Sequence, residues 1–167
     1  MTRHILILPV LLLTLLVGCV SDSVNYQKGW DAAQKGDFAT ALREWKPLAE
    51  QGGAIAQYNL GLMYDKGEGV PQNDKTAVKW YTLAAEQGDT LAQSSLSWMY
   101  YEGLGVIRDN VYAHMWGNLA AVDGDKNGEM VRDLVAKEMS QTQLETAQKL
   151  AKAWMAKYML SLSKHQK

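Results

Sequence analysis

The amino-acid sequence predicts an all-α fold, namely an α-solenoid of antiparallel helix pairs that ends in a C-terminal capping helix. The first observation is an internal repeat, because the chain aligns with itself at an offset of 36 positions. A period between about 20 and 50 residues is typical of stacked supersecondary units. The second observation is that apolar residues recur at helical spacing on both sides of a glycine-rich turn in each copy. Since one such unit cannot bury its apolar face alone, neighbouring units must stack.

The repeat is a long run of identities that continues without a gap. It includes an alanine-rich helix end, a turn with two glycines and a tryptophan. So many identities at one offset indicate duplicated units rather than chance. The aligned residues include Ala49-Glu50-Gln51-Gly52 with Ala85-Glu86-Gln87-Gly88, Met63-Tyr64 with Met99-Tyr100, Gly67-x-Gly69-Val70 with Gly103-x-Gly105-Val106, and Trp80 with Trp116.

Each copy is predicted to contain two amphipathic helices joined by the glycine turn. In the first copy, Gly67 and Gly69 supply positions where a positive φ carries no steric cost. Pro71 then discourages continuation of the first helix. Asn73 or Asp74 is the expected cap of the second helix, since both side chains can accept a hydrogen bond from an unpaired backbone N–H group.

The first copy resembles the Sel-one-like repeat, a branch of the tetratricopeptide superfamily. The resemblance covers residues 25–160 and implies a right-handed solenoid that binds other molecules. Residues 53–88 match the pattern almost throughout. Residues 89–124 depart from it at Gly117, where the pattern prefers an aromatic residue, and we expect weaker local packing there. The matching motifs are Ala56-Gln57-Tyr58-Asn59-Leu60-Gly61, Gly67-x-Gly69-Val70 and Ala77-x-x-Trp80-Tyr81-x-x-Ala84-Ala85-Glu86-Gln87-Gly88.

The segments that flank the two copies complete the predicted solenoid. Residues 25–52 resemble a plain tetratricopeptide unit with a shorter turn, which would form the leading cap. Residues 125–167 resemble the closing helices of the family. Their pattern predicts one helix over residues 128–138 and, after Ser140 as cap, a second helix over about residues 141–159.

The start of the chain has the anatomy of a signal peptide. A short polar start containing Arg3 is followed by the apolar run 5–17. This run is shorter than the roughly 20 residues that cross a bilayer as a helix. Residues 1–18 are therefore predicted to be removed, and residues 19–24 to form a short tether.

The end of the apolar run resembles the lipobox of bacterial lipoproteins, in Leu16-Val17-Gly18-Cys19. The resemblance implies lipidation of Cys19, the only cysteine of the chain, and a membrane anchor through its acyl chains. Val20, rather than aspartate, implies an outer-membrane lipoprotein that faces the periplasm. The alternative is an ordinary secretory signal with a chance cysteine at its boundary.

The charge balance argues against nucleic acid as a partner. Removal of residues 1–18 takes away Arg3 and no acidic residue, which leaves 16 Lys and Arg side chains against 18 Asp and Glu side chains. A nucleic-acid-binding domain usually carries a basic patch or an excess of basic residues. The mature chain is therefore expected to bind other kinds of molecule.

The sequence contains no arrangement of residues that is typical of an active site. A nucleophile needs a neighbouring base, yet His114 and His165 are isolated and Cys19 belongs to the lipobox. His114 is more typical of a repeat-helix or surface imidazole than of a metal ligand, and Asp65 with Glu68 shows no sign of a glycosidase pair. We expect no catalytic residue, no metal and no cofactor.

A partner is expected on the first helix of each pair, because the resemblance implies that these helices line the concave face. Aligning the units on Gly29, Gly61 and Ser97 carries that pattern across the chain. Aromatic residues in such a groove would serve as rigid anchors. The alternative is that neighbouring helices or the C-terminal helix bury these rings. The candidate partner-binding residues are Tyr26, Trp30, Tyr58, Leu62, Asp65, Trp98 and Tyr101, with Ala33, Ser94, Met130 and Leu134 extending the row.

Together these features predict a lipid-anchored, non-catalytic adaptor of the bacterial cell envelope that holds a protein or peptide in its concave groove. Two alternatives remain open at this level. One is an envelope enzyme or inhibitor that acts on peptidoglycan or β-lactams, and the other is a self-associating structural lipoprotein. No motif in the sequence supports either alternative. The predicted fold does not exclude them, because a fold alone does not specify a ligand.

Overall fold

The computed structural model describes residues 23–164 of the chain, so the proposed signal peptide, Cys19 and most of the proposed tether lie outside the described residues. Within residues 23–164 the chain forms eight α-helices and no strand, which confirms the predicted all-α solenoid. The helices are α1 over residues 23–34, α2 Phe38–Glu50, α3 Ala54–Lys66, α4 Asp74–Glu86, α5 Thr90–Glu102, α6 Asn110–Val122, α7 Lys126–Ala136 and α8 Gln141–Lys164.

Both glycine turns have the geometry that the sequence predicts. Gly67 and Gly103 end α3 and α5 in the left-handed conformation, with φ of 71° and 74°. Asn73, not Asp74, caps α4, and its side chain accepts a hydrogen bond from the backbone N–H of Thr76. Asp109 caps α6 in the same way. Each turn is therefore closed by the same local interactions in both copies.

Successive units are joined by two buried glutamines at equivalent positions of α3 and α5. The Gln57 amide donates to the carbonyl of Ala49, and the Gln93 amide donates to the carbonyl of Ala85. These carbonyls belong to the last turns of α2 and α4, and each also accepts from the backbone N–H of the glycine that follows its helix, Gly52 or Gly88. Each buried glutamine thus fixes the first helix of one unit against the end of the preceding unit.

The second glycine of each turn allows close contact with the preceding unit. A Cβ atom on Gly69 would meet Cβ of Phe38 at 2.6 Å, and a Cβ atom on Gly105 would meet the carbonyl oxygen of Asp74 at 2.5 Å. Phe38 and Asp74 are the first residues of α2 and α4. The turn of each unit therefore packs against the start of the preceding unit's second helix.

Within each of the first two helix pairs, a glycine lies against a large aromatic ring. A Cβ atom on Gly29 would meet Cδ1 of Trp45 at 2.7 Å, and one on Gly61 would meet Cδ1 of Tyr81 at 2.5 Å. Both rings are buried. The small residue lets the two helices approach, and the ring fills the remaining space.

The third pair uses a different solution, and the expectation of weaker packing at Gly117 is wrong. A Cβ atom there would meet the carbonyl oxygen of Gly128 at 2.7 Å and Oγ of Ser97 at 2.8 Å. The backbone of α7 occupies the space that the Tyr81 ring fills in the preceding repeat. Gly117 is thus a site of close helix contact between α6 and α7.

The bounds of the C-terminal helices differ from the predicted ones, since α7 covers Lys126–Ala136 rather than residues 128–138 and α8 is longer than predicted. Helix α7 begins at Lys126 because Asp125 caps it by accepting from the N–H of Gly128. Helix α8 begins where predicted, after a capping interaction between Ser140 and Gln143, but it extends beyond residue 159 to Lys164. No helix in residues 23–164 is long and apolar enough to span a bilayer.

Candidate functional site

A groove lies between the first helices of consecutive pairs, α3, α5 and α7. We call it the α5 groove, and its volume is about 380 Å³. Grooves of this size are in the range that accommodates a small ligand or a few side chains. Its lining residues are Asp65, Ser94, Ser95, Trp98, Met99, Leu104, Asn127, Met130 and Val131.

One side of the α5 groove is apolar and in contact with water. Trp98, Leu104 and Met130 are 43%, 37% and 54% exposed, although all three are large apolar residues. The Trp98 ring rests on Tyr101, with 5.8 Å between the ring centroids. Aromatic side chains have few rotatable bonds, so little conformational entropy is lost when a partner covers such an exposed ring.

The opposite side of the groove carries the Asp65 carboxylate. The hydroxyl of Tyr81 donates to Oδ2 of Asp65 at 3.2 Å. Burial raises the pKa of the Tyr81 phenol well above its usual range, and the Asp65 charge raises it further. Tyr81 therefore remains a donor at physiological pH and orients the carboxylate.

The floor of the groove is tied together by a buried serine. The hydroxyl of Ser94 donates to Oδ1 of Asp125 at 2.7 Å, and the same oxygen accepts from the N–H of Gly128 at 2.6 Å. Because Asp125 also caps α7, this bond joins the middle of α5 to the start of α7. The relative position of the two helices that line the groove is thereby fixed.

The structure brings together some of the residues that the sequence nominated for partner binding. Asp65 and Trp98 line the α5 groove, and so do Ser94 and Met130. Tyr101 contacts the Trp98 ring. The Arg108 guanidinium lies 5.2 Å from the centre of the Tyr101 ring.

Tyr58 lies beside Tyr81, with 5.7 Å between their ring centroids, and is half-buried. Burial raises the pKa of the Tyr58 phenol, and the carboxylates of Asp89, Asp125 and Asp65 raise it further. These three carboxylates therefore act together on this part of the molecule, and Tyr58 stays uncharged at physiological pH.

The remaining nominated residues lie outside this groove. Tyr26 stacks on Trp45, with 6.2 Å between ring centroids, and its hydroxyl accepts from the amide of Asn59 at 3.3 Å. These contacts hold α1 against α2 and α3. Trp30 is 43% exposed and Leu62 is partly exposed, yet neither lines the α5 groove.

Leu104 is a groove residue that the sequence reasoning missed. It lies in the glycine turn after α5, whereas the predicted binding residues all belong to the first helices of the pairs. Its equivalent in the first copy is Glu68. The sequence does contain a signal for this position, because an apolar residue stands in a turn where the other copy has a charged one.

The C-terminal helix does not cover the α5 groove. Its Trp154 contacts Trp116 of α6, with 6.1 Å between the ring centroids, and its Tyr158 lies against Gly88 after α4. None of the groove-lining residues belongs to α8. The open question of whether this helix fills the groove is thereby answered, and Trp98 remains accessible.

Comparison with known proteins identifies the family of the chain. A family model of the Sel1 repeat matches residues 54–89 and 90–125. The crystal structure of a Sel1 repeat protein from Oxalobacter formigenes is 31% identical, with a TM-score of 0.61, and the match covers 67% of this chain and 87% of that one. This chain belongs to the Sel1 repeat family.

A second solved Sel1-type structure matches more of the chain. It is c5321, a protective antigen present in uropathogenic Escherichia coli strains displaying an SLR fold, with 30% identity and a TM-score of 0.77. The match covers 82% of this Sel1-repeat chain and 30% of c5321, so the chain spans less than a third of that protein's length. Among curated proteins, none matches significantly. Proteins with Sel1 repeats generally serve as protein-interaction scaffolds and are generally non-catalytic.

His114 of this Sel1-repeat protein is a core residue rather than a surface imidazole. It is 6% exposed, and its Nδ1 atom has no hydrogen-bond partner within the described residues. Burial lowers the pKa of this imidazole and the nearby Arg132 lowers it further, while Asp133 acts in the opposite direction. The neutral ring is thus favoured at neutral pH. No group of three or more His, Cys, Asp or Glu residues in the described part of the chain could hold a metal ion.

Proposed function

We propose that this Sel1-repeat protein is a non-catalytic adaptor of the bacterial cell envelope that holds a segment of a partner protein in the α5 groove. The observation that carries the proposal is the open groove itself, with Trp98, Leu104 and Met130 exposed along one side. A well-buried aromatic anchor contributes about 2 kcal/mol or more to binding. Since α8 packs elsewhere, a partner can reach this ring without displacing any part of the described chain.

The polar groups of the groove support binding rather than chemistry. Within residues 23–164, the only hydroxyl side chains that line it are those of Ser94 and Ser95. Ser94 donates to the Asp125 carboxylate, and no histidine lines the groove to act as a base for either serine. A nucleophilic serine requires such a base and a site for the developing oxyanion. These residues therefore suit the recognition of a ligand.

The envelope location rests on the start of the sequence. The apolar run 5–17 and the motif Leu16-Val17-Gly18-Cys19 support lipidation of Cys19, and Val20 favours the outer membrane. Residue 23, the first one described, is four residues beyond Cys19. An extended chain spans about 3.5 Å per residue, so a lipid on Cys19 would hold the first residue of α1 within roughly 14 Å of the membrane surface.

The anchor is tested by replacing the cysteine. In cells of the source organism grown with a radiolabelled fatty acid, the wild-type protein should carry label and sediment with membranes. The Cys19→Ser variant should lose the label and leave the membrane fraction, because membrane affinity scales with buried acyl CH₂ groups. The absence of label on the wild-type protein would reject lipidation in favour of an ordinary secretory signal.

The groove is tested by crosslinking from inside it. A photo-crosslinking amino acid at Met130, which lines the groove, should yield a discrete protein adduct in cells. The same amino acid at Val122, which is 64% exposed and does not line the groove, is the matched control. Adding Trp98→Ala should lower the yield from position 130 by at least about tenfold, since it removes the central anchor.

The identity of the adduct and its dependence on Trp98 distinguish the possibilities. An adduct between two copies of this chain would favour self-association over an adaptor role. Equal yields from positions 130 and 122, or a yield that Trp98→Ala leaves unchanged, would reject the α5 groove as a binding site. Thermal unfolding of the Trp98→Ala protein checks that it remains folded, as expected for a half-exposed side chain.

A further inference from the structure

We infer that the α5 groove selects a partner segment in which a bulky apolar side chain lies next to a lysine or arginine. The apolar side chain would cover Trp98 and Met130, and the cationic group would pair with Asp65. This inference rests on the proposed function, because it names the chemistry of the partner that the same groove receives. It is carried by the position of one carboxylate, which forms no ion pair within residues 23–164, at the edge of an apolar surface.

Asp65 forms no ion pair within residues 23–164. In residues 23–164 the seven ion pairs involve only other carboxylates. Tyr81 donates to Oδ2 of Asp65, while Oδ1 accepts no side-chain hydrogen bond within the same residues. One carboxylate oxygen in the wall of the groove is thus held in place by a neutral donor, and the negative charge is left for a ligand.

The position of Asp65 in its helix makes an external cation favourable. It is the penultimate residue of α3, and the C-terminal end of a helix carries a partial negative charge. A carboxylate there is unfavourable for the helix, and the neighbouring Lys66 forms no ion pair with it within residues 23–164. By contrast, Asp89 and Asp125 cap the N-terminal ends of α5 and α7, where the partial positive charge offsets theirs.

The repeat fold itself does not require a carboxylate at this position. The equivalent residues are Ala33 in the leading pair and Tyr101 in the second repeat. Both of those units form the same helix pair. Asp65 is therefore a feature of this groove rather than of the solenoid.

The surroundings favour a cationic segment over an acidic one. The Asp65, Asp89 and Asp125 carboxylates all act on Tyr58, which lies among them. The basic side chains nearest the start of α7 are already paired, Lys126 with Glu129 and Arg132 with Glu129 and Asp133. An acidic partner segment would meet the Asp65 charge, and none of the described residues that line the groove is basic, so like-charge repulsion disfavours it.

The inference is tested by selection from a displayed library of random peptides about nine residues long. The full-length protein, isolated in mild detergent, is immobilised, and bound peptides are sequenced. Peptides selected by the wild-type protein should be enriched in aromatic or large aliphatic residues next to Lys or Arg. Asp65→Asn keeps an acceptor for Tyr81 but removes the charge, so selection by this variant should retain the apolar residues and lose the basic ones.

Binding measurements with individual peptides then give the size of the contribution that the Asp65 charge makes to affinity. A selected peptide should bind the Asp65→Asn variant about fivefold more weakly, because partly exposed ion pairs contribute modestly to affinity. Its affinity for the wild-type protein should fall with salt, and its affinity for Asp65→Asn should respond much less. Glu86→Gln, which makes the same change of charge at an exposed residue outside the groove, should bind like wild type.

The outcomes separate this inference from the proposed function. Selection of apolar peptides with no basic preference, or a basic preference that Asp65→Asn preserves, would overturn the inference while leaving the groove as a binding site. Selection of acidic peptides would overturn it as well. Selection that Trp98→Ala leaves unchanged, or no selection at all, would reject both.

Discussion

Gly117→Tyr is expected to destabilise the protein by more than about 3 kcal/mol, although tyrosine is the residue at the equivalent position of the first repeat. The Cβ atom alone would lie 2.7 Å from the carbonyl oxygen of Gly128 and 3.2 Å from the backbone nitrogen of Arg132. These are backbone atoms of α7, so a rotamer change cannot relieve the overlap. Insertion of a ring would force α7 away from α6 and break the Asp125 bond to Ser94.

Urea denaturation followed by circular dichroism measures this change. Val122→Tyr adds the same side chain to the exposed end of the same helix and should change the free energy of unfolding by no more than about 0.5 kcal/mol. Gly117→Ala should fall between the two variants. A Gly117→Tyr protein as stable as wild type would mean that α6 and α7 do not approach as described.

Gly105→Ala is expected to have the next largest effect, about 3 kcal/mol. Two costs act at this position. The φ of 68° is unfavourable by roughly 1 to 2 kcal/mol for a residue with a side chain. In addition, the new Cβ atom would lie 2.5 Å from the carbonyl oxygen of Asp74 and 2.7 Å from the nitrogen of Lys75. Overpacking against backbone adds on the order of 1 to 3 kcal/mol.

Gly124→Ala separates these two costs. Gly124 also has a positive φ, 85°, but a Cβ atom there would meet no atom within 4 Å. Only the conformational cost applies, so this variant should lose roughly 1 kcal/mol. The difference between the two variants in urea denaturation reports the contact between the second glycine turn and the start of α4. Equal losses would show that this contact contributes nothing to stacking of the units.

Much of the fold could be predicted from sequence because each unit is built from local signals. The residues Gly67, Gly69 and Asn73 act within a few positions of one another, and their roles as turn and cap follow from their own chemistry. The duplicated copy repeats the same signals, which makes the pattern stronger than a single motif. The predicted bounds of the last two helices are less accurate, since α7 covers Lys126–Ala136 rather than residues 128–138 and α8 continues to Lys164.

The site could be predicted only in part. The alignment of first helices nominated Asp65 and Trp98, which do line one groove. The same alignment nominated Tyr26, which instead stacks on Trp45 and bonds with Asn59. The predicted set of binding residues depends on every unit presenting the same helix face to a ligand. The leading pair uses its tyrosine for packing instead.

The sequence by itself determined the helix pairs, their turns and the family, because these depend on helical periodicity, caps and glycines within one unit. Only the tertiary structure decided which aromatic rings stay exposed, and what fills the space where the second repeat has a glycine instead of an aromatic residue. Gly117 illustrates the reason, since the space beside it is filled by the backbone of α7, an element that its own repeat does not contain. Likewise, Leu104 reaches the groove beside Met130 because α5 and α7 are held together by Ser94 and Asp125. Contacts between units depend on side-chain volumes and on the distances between helices, which the pattern of residues along the sequence does not specify.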